Sequence, residues 1–123
     1  MKKILFGVLF LFVCNIAFGL QTAKLLDSAT ATGAGGTSIV DKTGTAFFLT
    51  GAVTASTGAA SVNVEVSNDN VTWISLGNIT LTLGTTVTAD GFSSNVPWKY
   101  IRGNVASISG TGASVTLWVS YIP

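Results

Sequence analysis

Acidic and hydroxyl side chains are the residues of this chain that could do catalytic chemistry, and histidine is absent. The acids are scattered along the chain: Asp27, Asp41, Glu65, Asp69 and Asp90. A glycosidase needs two carboxylates that face each other in a cleft, and this spacing gives no reason to expect such a pair. Serine and threonine need a neighbouring base to act as nucleophiles, and histidine is the commonest one. We therefore expect no catalytic residue and no enzymatic activity.

The same residues offer little to a metal or a cofactor. No glycine-rich stretch follows a strand and opens a helix, which argues against a phosphate-binding loop. A calcium site that uses Asp69 or Asp90 with loop carbonyls is an alternative, but no Asp-x-Asp spacing accompanies it. We expect both residues to form turns instead, and we expect no cofactor and no metal.

Three side chains in the last third of the chain form the candidate ligand- or interface-binding site. Alternation along two strands points Tyr100 and Arg102 outward on one strand and Trp118 outward on the other. We expect the last strand to pair with the one before it through a turn at Gly110–Gly112, which would bring the three side chains together. A flat aromatic ring beside a guanidinium suits stacking on sugar rings or anchoring a protein interface.

Two alternatives to this binding face stay open. The N-terminal strands cover the face, or Arg102 pairs with Glu65 across the sheet. Trp73 and Trp98 are assigned to the core and to a strand entry, and Phe47 and Phe92 are assigned to the core.

The elements that must position these side chains are strands. The chain is 48% apolar and 9% charged, and its 17 threonines and 12 serines suit the exposed side of a sheet. Apolar and polar residues alternate in Ser61–Ser67, Asn78–Leu83 and Ser114–Tyr121, which is the period of half-buried strands. Further strands are predicted near residues 22–29, 37–41, 45–54, 71–76, 85–92 and 98–107.

Clusters of Gly, Ser, Asn, Asp and Thr separate these strands, at Thr32–Gly36, Ser67–Asn70 and Ser109–Gly112. Short strands with turn signals at this spacing predict an all-β fold, a single antiparallel β-sandwich of the jelly-roll or galactose-binding-like kind. We expect about 8–9 strands, which follow an N-terminal hydrophobic leader.

A faint internal repeat runs through the predicted sandwich. Phe48–Val53 followed by Ser61–Ser67 resembles Tyr100–Val105 followed by Ser114–Ser120. One interpretation is two equivalent hairpins, one in each sheet, related by an approximate two-fold axis. The alternative is that hairpins of biased composition look alike by chance.

The first residues have the layout of a secretory signal peptide. Met1–Lys3 is positively charged, and Ile4–Phe18 is an apolar run of 15 residues, shorter than the roughly 20 that a membrane span needs. We expect cleavage after Gly19, which gives a signal peptide over 1–19 and a β-sandwich domain over 20–123, with a retained membrane anchor as the alternative. Cleavage changes the formal net charge from +1 to −1 and leaves no basic cluster, which argues against nucleic-acid binding.

Two segments carry a family resemblance. Ser67-Asn-Asp-Asn-Val-Thr-Trp-Ile-Ser-Leu-Gly77 has the form of a strand, a tight turn and a strand with a buried tryptophan, and Trp98-Lys-Tyr-Ile-Arg102 enters a later strand. The pair resembles the core of discoidin-like, galactose-binding-like β-sandwiches, in which an "S-x-D-G-x-x-W" turn precedes a "K/R-Y-I/V-R" strand. Asn70 stands where that family usually has glycine, and the family's cysteines are absent.

Residues 45–121 are more similar to small β-sandwich proteins encoded by bacteriophages. Their motifs appear here in order as Asp90-Gly-Phe92, Pro97-Trp-Lys-Tyr-Ile-Arg-Gly-Asn-Val105 and Ser109-Gly-Thr-Gly-Ala-Ser-Val-Thr-Leu117. The resemblance implies a β-sandwich and a virion-associated or adhesive role. An export signal indicates a membrane-containing virus or a host surface protein rather than a tailed phage.

Two functions fit these features. The first is a non-enzymatic structural protein of a virion or a cell surface that acts by protein–protein packing, because a weakly charged surface tolerates dense packing. The second is a secreted carbohydrate-binding or adhesion module that uses an outer aromatic face. The expected partners are copies of itself or other structural proteins, with a surface carbohydrate as the alternative. We expect no binding to nucleic acid. Contact with a membrane is expected only if the leader stays uncleaved. The predicted location is extracytoplasmic, secreted or at a surface, or in a virion.

Overall fold

Eight strands run through the part of the chain that the computed structural model describes, which is residues 21–39, 45–95 and 97–121. They are β1 (Gln21–Ala29), β2 (Gly33–Ile39), β3 (Thr45–Ala52), β4 (Ala55–Ser67), β5 (Ile74–Leu83), β6 (Thr88–Ser94), β7 (Tyr100–Thr111) and β8 (Ser114–Tyr121). Within these ranges no helix is long and apolar enough to cross a membrane. The predicted signal peptide over 1–19 and the acid Asp41 lie outside the described residues.

The strands form two antiparallel sheets of four strands each, packed face to face. The first sheet has the order β1-β8-β3-β6, and the second sheet has the order β2-β7-β4-β5. This is the strand order of an eight-stranded jelly roll, in which most connections pass from one sheet to the other. The predicted all-β antiparallel sandwich is confirmed.

Alternating side chains build the core between the two sheets. On β4, Val62, Val64 and Val66 are completely buried, and on β8, Leu117 and Val119 are as well. The residues between them point to the two outer faces, because successive strand residues lie on opposite sides of a sheet. The inner positions of both sheets therefore supply one continuous apolar cluster.

Two short connections cross from one sheet to the other. Val53 and Thr54 link β3 of the first sheet to β4 of the second, and Gly112 and Ala113 link β7 to β8 in the reverse direction. Connections of two residues usually make hairpins, whose tips are exposed. Here Val53 and Ala113 are 4% and 7% exposed, so each turn enters the apolar layer and carries the chain across it. The backbone N–H of Thr54 donates to the carbonyl of Thr111 at 2.9 Å, which ties the two crossovers together.

The repeat segments are these two crossover units, and the interpretation as one hairpin in each sheet is wrong. The two units pair with each other, β3 with β8 and β4 with β7. The matched glycines Gly51 and Gly103 occupy similar inner positions. A Cβ at Gly51 would lie 2.9 Å from Leu83, and one at Gly103 would lie 2.7 Å from Leu117, so each glycine admits a leucine from the opposite sheet.

Four local predictions differ from the structure. The cluster Ser109–Gly112, predicted as a turn, lies largely in β7, which ends at Thr111. The strands predicted at 71–76 and 78–83 are the single strand β5. The cluster Thr32–Gly36, predicted as a turn, lies largely in the edge strand β2. Asp90 does not open a turn, because Asp90 and Gly91 lie inside β6 and pair with Leu49 and Phe48. These short polar or glycine-rich segments form strands because a neighbouring strand pairs with them, which local propensity does not report.

Candidate functional site

The three predicted binding residues do not meet. Tyr100 and Arg102 lie on β7 in the second sheet, whereas Trp118 lies on β8 in the first sheet. The prediction that these last two strands pair through Gly110–Gly112 is wrong, since the connection crosses the sandwich. The outward side chains of β7 and β8 therefore lie on opposite outer faces of the molecule. Each face has to be considered on its own.

The outer face of the second sheet holds Arg102 between two partners. Its Nε donates to Oε1 of Glu65 at 2.8 Å, which is the cross-strand pair that the sequence left open. The guanidinium also lies over the ring of Trp73, 4.1 Å from the centroid, and Nδ2 of Asn104 donates to Oε2 of Glu65 at 3.3 Å. The pair is partly shielded, with 24% of the Arg102 side chain and 16% of the Glu65 side chain exposed. Arg102 is thus engaged within its own sheet, and Trp73 is half-buried on this outer face rather than in the core.

Polar side chains cover the rest of this outer face, which we call the polar face. Nδ2 of Asn78 donates to Oδ1 of Asn63 at 2.7 Å and to Oγ of Ser61 at 2.9 Å. Tyr100 is half-buried and Nζ of Lys99 lies 5.5 Å from its ring centroid. Hydrogen bonds within this face thus join Asn78 to Asn63 and Ser61, and they join Arg102 and Asn104 to Glu65.

The turn at Ser67–Asn70 closes the hairpin between β4 and β5, as the sequence predicted. Oδ1 of Asp69 accepts hydrogen bonds from the backbone N–H groups of Thr72 at 2.7 Å and Val71 at 2.9 Å, and from the Ser67 hydroxyl at 2.8 Å. These bonds, that from Thr72 foremost, hold the pKa of the Asp69 carboxyl far below its usual range. Asn70 has a φ of 60°, the left-handed conformation that asparagine tolerates better than most residues. Asp69 is a turn former here.

The outer face of the first sheet is aromatic. Trp118 on β8 lies directly opposite Phe48 on β3, and Phe48 is 49% exposed. Nζ of Lys24 on β1 lies 4.9 Å from the ring centroid of Trp118 and 3.5 Å from the carboxylate of Asp27. This surface, defined by Phe48, Val87 and Trp118 and bordered by Lys24, is called the aromatic face.

An open depression of ≈ 620 Å³ lies in the aromatic face. Three apolar side chains and three hydroxyl side chains line it: Phe48, Val87, Trp118, Thr22, Thr50 and Ser120. None of these six is charged, so the depression can take an apolar or weakly polar surface but offers no acid–base pair.

The sequence identified Trp118 but missed the residues around it. Phe48 could have been found from alternation alone. The sequence assigns Phe47 to the core, where it is 2% exposed in the structure, and its neighbour along a strand must point outward. Val87 and Thr22 could not have been found in this way, because neither is near Trp118 along the chain. The packing of distant parts of the chain brings them to the depression beside Trp118.

The other aromatic residues fit their predicted positions, with Trp73 as the exception. Phe47 and Phe92 are register partners on the inner side, with ring centroids 5.1 Å apart. Trp98 precedes β7 and packs against the core, and its Nε1 is buried without a hydrogen-bond partner among the described residues.

No cluster of three or more His, Cys, Asp or Glu side chains that could hold a metal ion occurs within residues 21–39, 45–95 and 97–121. No protein-family model, no curated protein and no solved structure matches the chain.

Proposed function

We propose that this protein is a non-enzymatic structural subunit that packs against other protein surfaces through its aromatic face. The observation that carries the proposal is the open depression in which Phe48, Val87 and Trp118 come together. Aromatic residues in a shallow apolar patch are typical of protein interfaces, where they supply much of the binding energy. The polar face is the weaker candidate, because Arg102 already bonds to Glu65 and Asn78 already bonds to Asn63.

A virion or a cell-surface layer is the setting that fits this subunit best. The jelly roll is a common architecture of viral capsid and lectin domains, and this fold analogy supports the setting. The chain is only 9% charged, and a surface with little like-charge repulsion allows neighbouring subunits to pack densely.

Sedimentation velocity over a concentration series tests the proposal, with Phe48→Ser as the variant. Wild-type protein is expected to form oligomers, and the variant to remain monomeric at concentrations where the wild type associates. The matched control is Tyr100→Ser, which removes an aromatic ring from the opposite outer face and should leave association unchanged. A wild type that stays monomeric at every concentration, or a variant that associates like the wild type, contradicts the proposal.

The setting is tested on native material that has been separated on a density gradient into particles, membranes and supernatant. Recovery in dense particles supports a virion component, and the intact mass shows whether cleavage after Gly19 has occurred. An uncleaved chain in the membrane fraction supports the retained anchor instead. A chain that begins at Leu20 in the soluble supernatant supports a secreted module.

Carbohydrate binding is the second candidate, because Trp118 offers a ring that is flanked by the hydroxyl side chains of Thr22, Thr50 and Ser120. Sugar rings stack on such a surface and hydrogen-bond to neighbouring hydroxyls. Affinity electrophoresis in gels that contain a soluble β-glucan or galactan separates the two functions. A monomeric wild type that the polysaccharide retards, together with a Trp118→Ala variant that it does not retard, supports the carbohydrate-binding module.

A further inference from the structure

The four exposed large apolar side chains of the described residues lie in two places. Phe48 and Val87 belong to the aromatic face, and Val71 and Ile74 lie at the hairpin between β4 and β5. That hairpin is part of the second sheet, whereas the aromatic face is the outer face of the first sheet and points away from the second. Since the two sheets of a sandwich are about 10 Å apart, Val71 cannot reach the aromatic face of its own molecule.

The hairpin tip holds Val71 in a fixed position. Val71 is 79% exposed, yet its backbone N–H donates to Oδ1 of Asp69 at 2.9 Å. The hydroxyl of Ser67 accepts from the N–H groups of Asp69 at 3.2 Å and Asn70 at 2.9 Å. A branched side chain on a hydrogen-bonded turn loses little conformational entropy when it is buried by a partner.

The charges beside the two apolar sites have opposite signs. Asp69 is two residues from Val71, and its carboxyl keeps a lowered pKa and hence its negative charge. Lys24 borders the depression, with its Nζ over the ring of Trp118, and its exposed pair with Asp27 at 3.5 Å is weak enough to be exchanged for the carboxylate of an incoming Asp69. Opposite charges at the rim of an apolar contact favour one orientation of the partners over others.

We propose that the depression of the aromatic face receives the Val71 tip of a second copy of this chain, which makes the self-association head-to-tail. This inference rests on the proposed function and names the partner of the same face. A contact between two different surfaces leaves a free tip at one end and a free depression at the other. Such a contact adds further copies until a ring closes or a filament grows.

Two single variants and their mixture test this arrangement. Val71→Asp removes the tip and keeps the depression, and Phe48→Asp removes the depression and keeps the tip. Each variant alone is expected to be monomeric, with an apparent dissociation constant raised roughly tenfold or more. An equimolar mixture is expected to form a one-to-one heterodimer and nothing larger, since the intact tip of one variant fits the intact depression of the other. Sedimentation velocity resolves monomer, heterodimer and the larger wild-type assemblies.

Controls separate the contact from charge and folding effects. Asn68→Asp adds the same charge to the same turn and keeps Val71, so it should associate like the wild type. Val71→Thr keeps the shape of the side chain and should weaken association even if Val71→Asp fails to fold. Lys24→Glu should weaken association most at low salt, because it reverses the charge at the rim of the depression.

Two results overturn the inference. If Val71→Asp dimerises while Phe48→Asp does not and their mixture gives no heterodimer, the aromatic faces pack against each other. The proposed function then stands and the head-to-tail arrangement fails. If wild type and both variants are all monomeric, or all associate equally, the inference and the proposed function both fail.

Discussion

The ring centroid of Trp73 lies 4.1 Å from the guanidinium carbon of Arg102, so the cation predicted to meet a ligand is covered by the side chain that immediately precedes β5. Nε of the same guanidinium also donates a hydrogen bond to Oε1 of Glu65 at 2.8 Å. The Arg102–Glu65 pair joins β7 to β4, and the Trp73 ring joins β7 to the start of β5. These contacts therefore stabilise the second sheet.

Arg102→Gln should therefore destabilise the fold. The change leaves the carboxylate of Glu65 partly buried without its cation, and we expect a loss of about 1–3 kcal/mol in the free energy of unfolding. Urea unfolding at neutral pH measures it. Lys24→Gln is the control, because it breaks the exposed pair with Asp27 and should cost less than about 1 kcal/mol. Equal losses for the two variants would show that the shielding of the Arg102 pair has no energetic effect.

Asp69→Asn should lower stability in a pH-dependent way. The folded-state pKa of Asp69 is lowered, so the charged carboxylate stabilises the fold above its unfolded pKa of about 3.9. This contribution is lost as the pH falls towards the folded-state pKa. The difference in urea midpoint between wild type and variant should thus be largest near pH 6 and shrink towards pH 2. A difference that is constant over this range contradicts the role of the charge.

Gly103→Ala should destabilise the fold by overpacking. The new methyl group would lie 2.7 Å from Leu117 and 2.9 Å from Leu26, both of which reach across from the first sheet. We expect a loss of about 1–3 kcal/mol. Gly36→Ala is the control, because a Cβ there meets nothing within 4 Å and the change should be close to neutral. Thermal unfolding of the two variants side by side makes the comparison.

Phe47→Ala should affect mainly stability and Phe48→Ala mainly association, although the two residues are neighbours. Phe47 is 2% exposed, and its truncation should cost about 3–5 kcal/mol. Phe48 is 49% exposed, and its truncation should cost less than about 1 kcal/mol while it weakens association. Chemical unfolding and sedimentation velocity give the two quantities. A large loss of stability for Phe48→Ala would mean that this ring belongs to the folding core rather than to an interface.

Much of the fold was predictable because it depends on local pattern. The alternation in Ser61–Ser67 and Ser114–Tyr121 predicts which side chains are buried, and the structure buries the valines and the leucine at these positions, with Tyr121 half-buried against them. The turn at Ser67–Asn70 was predictable as well, since Ser, Asp and Asn side chains bond their own backbone over two or three residues. Trp73 was assigned to the wrong side because it precedes β5. Alternation within that strand therefore says nothing about it.

The candidate site was only half predictable for a related reason. Alternation correctly pointed Tyr100, Arg102 and Trp118 outward, and from sequence alone a two-residue connection rich in glycine is a hairpin signal. The buried side chain of Ala113 and the bond from Thr54 to Thr111 turn that connection into a crossover. Both depend on residues that are distant in sequence.

The sequence by itself thus determined that this is a β-sandwich, which residues face inward, and that no histidine chemistry is available. The tertiary structure decided which strands are neighbours, and with that it separated Arg102 from Trp118 and placed Phe48 beside Trp118. The physical reason is that the inward or outward direction of a side chain is a property of one strand. Membership of a sheet depends on backbone pairing between strands that are distant in sequence: Phe48 and Trp118 are 70 residues apart, and Gln21 and Tyr121 are 100 residues apart.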